Sequence, residues 1–328
     1  MEPYYQDDAV TLYCGDCRDI LPTLDKEQFD LYLVDPPYGM GKEKEGVAND
    51  NLYGGKLDAF LMDCWKAARP TLKGNASAYI WGNALDLWRL WYVGGLKDSE
   101  RLTLRNEVVW AKGDAGAGGI SHQGADGLRL YPQSTERCLF FMLGEQGFNN
   151  NADNYWEGWE PIRAYLESEM KRCGWTVKDL NRITGTSMGG HWVTKSQWAL
   201  ITAEHYAKIQ QAARDHDAFK REHDELKREF YATRAYFDNT HDNMTDVWEF
   251  PRVTGDERYR HPTPKPLGMF WRMVVTSCKP GGRVLDAFAG IGTTGVAAKL
   301  EGRKATLIEL EERYCKIIAK RLSQGVLF

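Results

Sequence analysis

Residues 283–295 have the sequence RVLDAFAGIGTTG, and the architecture of the whole chain can be inferred from them. The first half is a short apolar run typical of a buried strand, and the glycines that follow let the backbone turn closely before a helix. A strand, a glycine loop and a helix form the opening of a nucleotide-type βαβ fold. The loop also matches Gly-x-Gly-x-x-Gly and precedes a strand ending in Glu309, so a dinucleotide such as NAD is one candidate ligand.

Two features of this loop argue against NAD. Asp286 lies just ahead of the glycines, where it would repel a pyrophosphate but could pair with the ammonium group of an amino-acid-like ligand. Only residues 296–328 follow the loop, too few for a second nucleotide-binding half. We therefore expect the missing strands to come from the N-terminal part, so that both ends of the chain build one sheet. Glu309 can accept hydrogen bonds from ribose hydroxyls with either ligand, and a plain tight turn is the structural alternative.

The N-terminal third alternates short apolar runs with helical patterns. Residues 31–34 and 138–143 are apolar on both faces, as a strand covered by helices on two sides requires. The expected strands occupy 10–14, 31–35, 77–81, 106–112, 137–143, 283–288 and 305–310, and the expected helices about 56–69, 84–93, 266–278 and the segment up to about 322. This alternation predicts an α/β fold with a doubly wound, mostly parallel sheet.

Residues 151–243 differ from the rest because they are polar and helical and contain no strand-like run. Helices are expected at 160–173, at 177–183 after a cap at Thr176, and at 215–237, the last being long and solvated. We therefore expect one catalytic-type domain built from residues 1–150 and 244–328, with 151–243 as a helical insert. Two loops, 39–55 and 113–127, are either disordered tips or lids that close on a ligand.

Composition narrows the class of protein. The chain has 328 residues with 43% hydrophobic and 27% charged residues, as in an ordinary globular protein, and a net charge of −4 argues against nucleic-acid binding by bulk charge. No apolar stretch reaches the roughly 18 residues needed to span a bilayer, and the N-terminus is acidic, so we expect a cytoplasmic protein. Cys14 and Cys17 form a Cys-x-x-Cys without a second pair or a nearby His, so we expect no metal site.

A second motif, Asp35-Pro36-Pro37-Tyr38, follows an apolar strand. Two consecutive prolines fix two φ angles and remove two N–H donors, which gives a rigid extended turn with free carbonyl groups. The Asp35 carboxylate and the Pro36 carbonyl can then accept both hydrogens of one exocyclic amino group, while Tyr38 offers a flat face to the ring that carries it. A strand-ending turn without chemistry is the alternative, since Asp and Pro are common there.

Together the two motifs resemble those of amino-methyltransferases that use S-adenosylmethionine. In their order they resemble the β class of DNA enzymes, where the Asp-Pro-Pro-Tyr block comes first, the target-recognition region next and the cofactor loop last. The resemblance covers about residues 8–150 and 244–325 and implies a methyltransferase-type, Rossmann-like fold with permuted motif order. One departure is Ala287, where the family often has Pro after the acid.

Three further stretches carry the resemblance. LYCGD at residues 12–16 is similar to the family's strand whose acid, here Asp16, lies near the cofactor adenine. DVWEFPR at 246–252 and HPTPKP at 261–266 are similar to the run that leads into the helix beside the cofactor methionine, so Lys265 should border the cofactor. The cofactor-binding residues implied in this way are Asp16, Lys265, Asp286, Phe288, Gly290, Gly292, Thr293 and Glu309.

The resemblance implies a reaction. Asp35, Pro36, Pro37 and Tyr38 would hold the exocyclic amine of a base flipped out of duplex DNA and direct it at the sulfonium methyl group of S-adenosylmethionine, without metal or covalent intermediate. Adenine N6 is the expected target, because the Asp-Pro-Pro-Tyr form usually accompanies it; cytosine N4 is the alternative. Other open classes are a methyltransferase of RNA or protein, a non-catalytic DNA-binding regulator and an NAD oxidoreductase.

The insert is the natural candidate for target recognition. Residues 178–182 and 187–195 could form a helix-turn-helix whose second helix enters the major groove. The alternative is a helical bundle that only braces a lid or a partner subunit. Candidate phosphate-binding residues are Lys178, Arg182, Lys195, Arg252 and Arg260, with Lys112 and Arg258, each as plausibly a solvated surface charge. Double-stranded DNA is the expected partner; a second copy of the chain and a companion restriction nuclease stay open.

Overall fold

The computed structural model describes residues 2–42, 47–113, 129, 134–144, 159–195, 198–232, 234–239, 244–259 and 261–324. The chain divides into two compact units, residues 1–143 with 236–328, and residues 144–235. The sequence-based boundaries, after residue 150 and before residue 244, both lie several residues later in the chain than these observed boundaries.

Nine strands of the described residues form one sheet in the first unit. Its strands are β1 Tyr5–Gln6, β2 Val10–Cys14, β3 Phe29–Val34, β4 Leu72–Gly82, β5 Leu102–Ala111, β6 Thr135–Leu143, β7 Val247–Glu249, β8 Arg283–Asp286 and β9 Lys304–Glu309. Their order across the sheet is β1-β2-β9-β8-β3-β4-β6-β5-β7. The pairs β2–β9, β9–β8, β8–β3, β3–β4 and β5–β7 are parallel, and the others are antiparallel. The sheet is therefore mostly parallel, as predicted.

The helices of the described residues are α1 Cys17–Ile20, α2 Gly55–Ala68, α3 Ala84–Tyr92, α4 Glu160–Arg172, α5 Val177–Thr184, α6 Gly189–Val193, α7 Ala203–Ala212, α8 His223–Ala232, α9 Leu267–Ser277, α10 Thr293–Leu300 and α11 Glu312–Ser323. Those of the first unit cover the sheet. In β3, Tyr32 and Val34 pack in one cluster with residues of α2 and α3, while Leu31 and Leu33 are fully buried outside that cluster and α9 contacts the same strand. Both faces of β3 are therefore covered, which confirms the doubly wound prediction.

The pairing of β8 with β3 joins the two ends of the chain. Leu31 is opposite Val284 and Tyr32 is opposite Leu285, in parallel. Strands that run parallel have their carboxyl ends at the same edge of the sheet, so Asp35 and Asp286 are carried to that edge together. One sheet is thus built from both ends of the chain, as the sequence predicts.

The second unit contains α4 to α8 and has its own hydrophobic core. Trp159 and Trp198 stack there with ring centroids 5.1 Å apart, and Phe219, Leu226 and Phe230 are buried in the same cluster. The expected long solvated helix at 215–237 is wrong. The backbone is left-handed at Asp217 and Phe219 (φ 54° at each), and of the described residues from there to 237 only those of α8 are helical.

The structure differs from the sequence-based expectation at other points. Strands β1 and β7 were not expected, and β8 ends at Asp286 rather than at residue 288. The loop expected at 113–127 lies, apart from Gly113, outside the described residues. Of the helices that the structure describes, none has both the length and the apolar character needed to cross a membrane.

Candidate active site

A cavity of about 820 Å³ opens at the carboxyl ends of β2, β3, β8 and β9 in the first unit. This is the edge of an open α/β sheet where ligands usually bind. Its lining includes the Asp35–Tyr38 block, Asp16, Asp286, Gly290 and Glu309. Two motifs separated by some 250 residues of sequence therefore face one cavity, because β3 and β8 are neighbours.

The Asp35–Tyr38 block leaves β3 without regular secondary structure, as two consecutive prolines dictate. The Tyr38 hydroxyl donates a 2.5 Å hydrogen bond to Asp35 Oδ1. The Tyr38 amide donates to Asp50 Oδ1 at 2.9 Å, and the amide of Lys42 donates to Asp50 Oδ2 at 2.9 Å. Asp50 is 2% exposed, so one buried carboxylate fixes the start of the loop that follows the block.

Charged side chains surround Asp35. The Lys265 ammonium lies 2.5 Å from Asp35 Oδ2 and 3.1 Å from Glu136 Oε2, and 5.1 Å from the centroid of the Tyr38 ring. Lys112 forms an ion pair with Glu136 Oε1. The two carboxylates and two ammonium groups thus form a neutral, largely buried network, with Lys265 only 7% exposed.

The network fixes the protonation of its members. Burial alone would lower the pKa of Lys265, but Asp35 and Glu136 raise it, so the ammonium form persists. Burial opposes ionisation of Glu136, yet Lys265 and Lys112 outweigh it and lower its pKa to about 2. Burial raises the pKa of Asp35, because a single ammonium group offsets desolvation only in part.

Two more carboxylates line the cavity beside the glycine loop. Asp286 accepts hydrogen bonds from the Phe288 amide at 2.9 Å and from the Thr294 hydroxyl. Glu309 accepts hydrogen bonds from the Gly290 amide at 2.7 Å and from the Glu311 amide at 2.9 Å. Burial raises the pKa of both Asp286 and Glu309 to about 7, although these hydrogen bonds oppose the shift.

The glycines of the loop have separate roles. Gly290 and Gly292 have positive φ values, 54° and 77°, which side-chain-bearing residues rarely adopt. A Cβ on Gly292 would lie 2.9 Å from Ile318, so this glycine lets the loop pack on α11. Gly292 is absent from the cavity lining, whereas Phe288, Gly290 and Thr293 belong to it. Gly292 therefore shapes the turn rather than contacting a ligand directly.

The phosphate-binding candidates fall into separate groups. Arg252, Arg258 and Lys112 line the cavity, and Arg258 also donates to the Pro262 carbonyl at 2.7 Å. Arg260 lies outside the described residues. In the second unit Lys178, Arg182 and Lys195 are exposed, and Arg182 pairs with Asp179 at 2.9 Å.

The expected helix-turn-helix is only partly present. Thr176 and Asp179 form a capping box at the start of α5, as the sequence predicts for a helix beginning there. The second helix, α6, has only five residues and is shorter than expected. It buries Gly189, Trp192 and Val193 in its own unit. A recognition helix needs a face free to enter a groove, so α6 is poorly suited to that role.

Sequence reasoning did not identify Glu136 or Asp50. Glu136 is the second residue of β6 and lies opposite Trp110 of β5. Its only sequence signal is an acid at the entry of an otherwise apolar strand, which is indistinguishable from a solvated strand end. Cys17, half of the Cys-x-x-Cys, has its sulfur 3.6 Å from that of Cys64, so these two residues are neighbours in the core.

The fold and the cavity define a class of protein that a family model also recognises. The N6/N4 methyltransferase model, described as DNA methylase, matches residues 29–320, and the chain belongs to this family.

Individual relatives support the assignment. The chain is 38% identical over 340 residues to type II methyltransferase M2.DpnII of Streptococcus pneumoniae, covering 98% of this chain and 92% of that protein. It is 26% identical to DNA adenine methyltransferase YhdJ of Escherichia coli, covering 97% and 84%. The solved structure of the M1.HpyAVI–SAM complex has the same fold, with a TM-score of 0.53, 15% identity and coverage of 95% and 98%.

Proposed function

We propose that this DNA methylase transfers a methyl group from S-adenosylmethionine to the N6 amine of adenine at a specific sequence in duplex DNA. The observation that carries the proposal is the single cavity lined by both the Asp35–Tyr38 block and the Asp286–Gly290 loop. A methyl donor and a base must meet in one enclosed space for direct transfer, and this cavity has room for both reacting groups.

The residues of the loop side suit S-adenosylmethionine, which supplies an electrophilic methyl group on sulfur. Asp286 is buried, and its hydrogen-bond partners among the described residues are an amide and a hydroxyl rather than a cationic side chain, so its carboxylate can pair with the ammonium group of the methionine part. Glu309 retains free lone pairs after accepting two amide hydrogens and can accept from ribose hydroxyls. Asp16 lines the same cavity beside it. The M1.HpyAVI complex, which contains this molecule on the same fold, supports the assignment.

The residues of the Asp35 side suit an aromatic amine. The lone pair of such an amine is delocalised into the ring, so the amine is a weak nucleophile. Hydrogen bonds from its two N–H groups to the Asp35 carboxylate and the Pro36 carbonyl would localise that pair and orient it. Because the base is stacked inside the duplex, it must be flipped out at a cost of a few kcal/mol, and Tyr38 offers a face for the extruded ring.

Adenine is favoured over cytosine by the Asp-Pro-Pro-Tyr form of the block and by the relative named a DNA adenine methyltransferase. The family includes both N6 and N4 enzymes, so cytosine N4 is the outcome that would correct this part of the proposal. The second unit is our candidate for target recognition. Exposed basic residues on α5 and just after α6 support that role, with α5 rather than α6 as the helix that contacts DNA.

The test is methylation of duplex DNA by the purified protein with labelled S-adenosylmethionine, followed by mass spectrometry of the nucleosides. We expect N6-methyldeoxyadenosine, and sequencing of the product should place it in one short motif. N4-methyldeoxycytidine would correct the base, and transfer to RNA or protein alone would refute DNA as the substrate. Asp35→Ala, purified in parallel, is the control for a contaminating enzyme.

A further inference from the structure

One carboxylate oxygen of Glu136 lies within reach of both groups that donate hydrogen bonds to Asp35. Glu136 Oε2 lies 3.1 Å from Lys265 Nζ and 3.3 Å from the Tyr38 hydroxyl oxygen. The same two donors bind Asp35, Lys265 at Oδ2 and Tyr38 at Oδ1. Glu136 is therefore a second acceptor within reach of each donor.

The other oxygen of Glu136 is fixed. Lys112, just beyond β5, pairs with Oε1, and Glu136 itself stands on the neighbouring strand β6. Its side chain is 12% exposed. The strand pair and the Lys112 contact orient Glu136 so that Oε2 faces Lys265 and Tyr38.

Entry of a substrate amine changes the demand on Asp35. A carboxylate has about four lone-pair positions, and the Lys265 ammonium and the Tyr38 hydroxyl each take one, on different oxygens of Asp35. An incoming amino group must therefore share an oxygen with one of these donors, which weakens the hold of Asp35 on that donor. Buried donors that lose their acceptor cost on the order of 1–3 kcal/mol each, and more when charged, unless another acceptor replaces it.

From this geometry we infer that Glu136 is a positioning residue for methyl transfer: it holds Lys265 and Tyr38 in place when the substrate amine shares the oxygens of Asp35 with them. The inference rests on the proposed function, because it requires an amine to bind Asp35. Glu136 acts through these two side chains and does not contact the reacting atoms.

The charge of Glu136 also affects the pKa of Asp35. Among the residues that the structure describes, the titratable groups that interact with Asp35 are Lys265, Glu136, Tyr38, Cys138 and Asp286. Glu136 raises the pKa of Asp35 and Lys265 lowers it. Removing the negative charge of Glu136 should therefore make Asp35 easier to ionise, while Lys265 stays bound to it more tightly.

The experiment compares Glu136→Gln with the wild-type enzyme in single-turnover methyl transfer between pH 5 and 8, with S-adenosylmethionine saturating at every pH so that titration of Asp286 and Glu309 does not limit the rate. We expect the rate constant at neutral pH to fall roughly 10- to 100-fold, as misplacement of reacting groups does, with S-adenosylmethionine affinity unchanged. The acidic limb of the pH profile should move to lower pH, since Asp35 ionises more easily. A merely structural loss would lower the rate at every pH and leave that limb in place.

Two variants complete the design. Glu107→Gln is the matched control, because Glu107 is a half-buried carboxylate on β5 whose partners are Arg137 and Trp88 and which is not part of the cavity lining. Glu136→Asp keeps the charge and should restore the position of the acidic limb and part of the rate. It also serves if Glu136→Gln folds poorly.

The outcomes separate the two proposals. If the wild-type enzyme is active and Glu136→Gln is equally fast with an unmoved acidic limb, the positioning role alone is overturned. The same holds if Glu136→Asp is slow and its acidic limb shifts as that of Glu136→Gln does. A wild-type protein that methylates no duplex would refute the proposed function, and the positioning role with it. A slowed Glu136→Gln with a shifted limb, beside an unaffected Glu107→Gln, supports it.

Discussion

Lowering the pH from 7 to 6 should weaken the binding of S-adenosylmethionine. Burial raises the pKa of Asp286 and of Glu309 to about 7 in the free protein. An ammonium group and ribose hydroxyls interact best with the ionised carboxylates, so ligand binding favours loss of a proton from each. The affinity should therefore fall as the pH drops through the raised pKa values, the direction that linkage requires.

The size of the effect follows from the fraction of each carboxylate that is ionised. A group with a pKa of about 7 is about half ionised at pH 7 and about one tenth ionised at pH 6. If only the ionised form binds, the apparent affinity falls about fivefold per group, or about 1 kcal/mol, and roughly 25-fold for both. The range stops at pH 7 because the α-amino group of the ligand itself titrates near 8.

Isothermal titration calorimetry at several pH values measures this change. Methylthioadenosine is the matched ligand, because it keeps the ribose and lacks the amino acid, so its affinity should change only by the factor that belongs to Glu309. Asp286→Asn should bind S-adenosylmethionine more weakly at pH 7. Its affinity should then fall less between pH 7 and 6, because the roughly fivefold contribution of Asp286 is absent. An affinity that changes less than twofold between pH 7 and 6 would refute the assignment of both carboxylates.

Three further predictions concern the block, the loop and the insert. Asp35→Ala should abolish methyl transfer and leave S-adenosylmethionine affinity nearly intact, whereas Asp286→Ala should mainly weaken that affinity, as transfer assays and equilibrium dialysis would show. Gly292→Ala should destabilise the fold by about 1–3 kcal/mol in urea unfolding, because it adds a Cβ at a positive φ beside α11. Replacing Lys178 and Lys195 with Glu should weaken duplex binding and reduce the slope of log affinity against log salt by about 0.9 per lost phosphate contact.

The block prediction has a refuting outcome, and the loop and insert variants each have a matched control within the chain. An Asp35→Ala enzyme that retains transfer would remove Asp35 from the chemistry. Gly281 also has a positive φ, 71°, but open space at the Cβ position. Gly281→Ala should therefore cost less stability, and the difference from Gly292→Ala measures the contact with Ile318. Lys208→Glu changes an exposed lysine of α7 that already pairs with Glu204, and equal loss of DNA binding there would indicate a general charge effect.

The covered central strands of the sheet could be predicted because they are apolar on both faces, although β6, which contains residues 138–143, pairs antiparallel with both of its neighbours. Residues 31–34 and 138–143 allow no solvated face, so they require helices on two sides. Strands β1 and β7 have two and three residues, too few to show a period, and they form only because longer strands offer an edge. Length rather than composition separates the predicted strands from the missed ones.

The helix expected at 215–237 failed for a different reason. Phe219, Leu226 and Phe230 have helical spacing, and all three are indeed buried. The core of the insert reaches Phe219 through a left-handed backbone instead, and Glu169 on α4 accepts its amide hydrogen at 2.6 Å. Tertiary packing therefore overrides a local pattern that the sequence presents correctly.

The site divides in the same way. The Asp35–Tyr38 block and the Asp286–Gly290 loop carry their chemistry in contiguous residues, so each could be recognised along the chain. Glu136 joins the charged network only through Lys265, which is far away in sequence, and through Lys112, which lies just beyond β5. No motif in the sequence indicates these ion pairs.

The adjacency of β3 and β8 also constrains the order of events during synthesis. The ribosome makes β3 early and β8 much later, and the strand between β2 and β8 in the sheet, β9, comes later still. Until β8 and β9 emerge, β2 and β3 lack the partners that lie between them, and such distant pairing is slow to form. A nascent chain thus carries the Asp35–Tyr38 block for most of translation without the Asp286–Gly290 loop, and the cavity that both line forms only when the sheet closes at its centre.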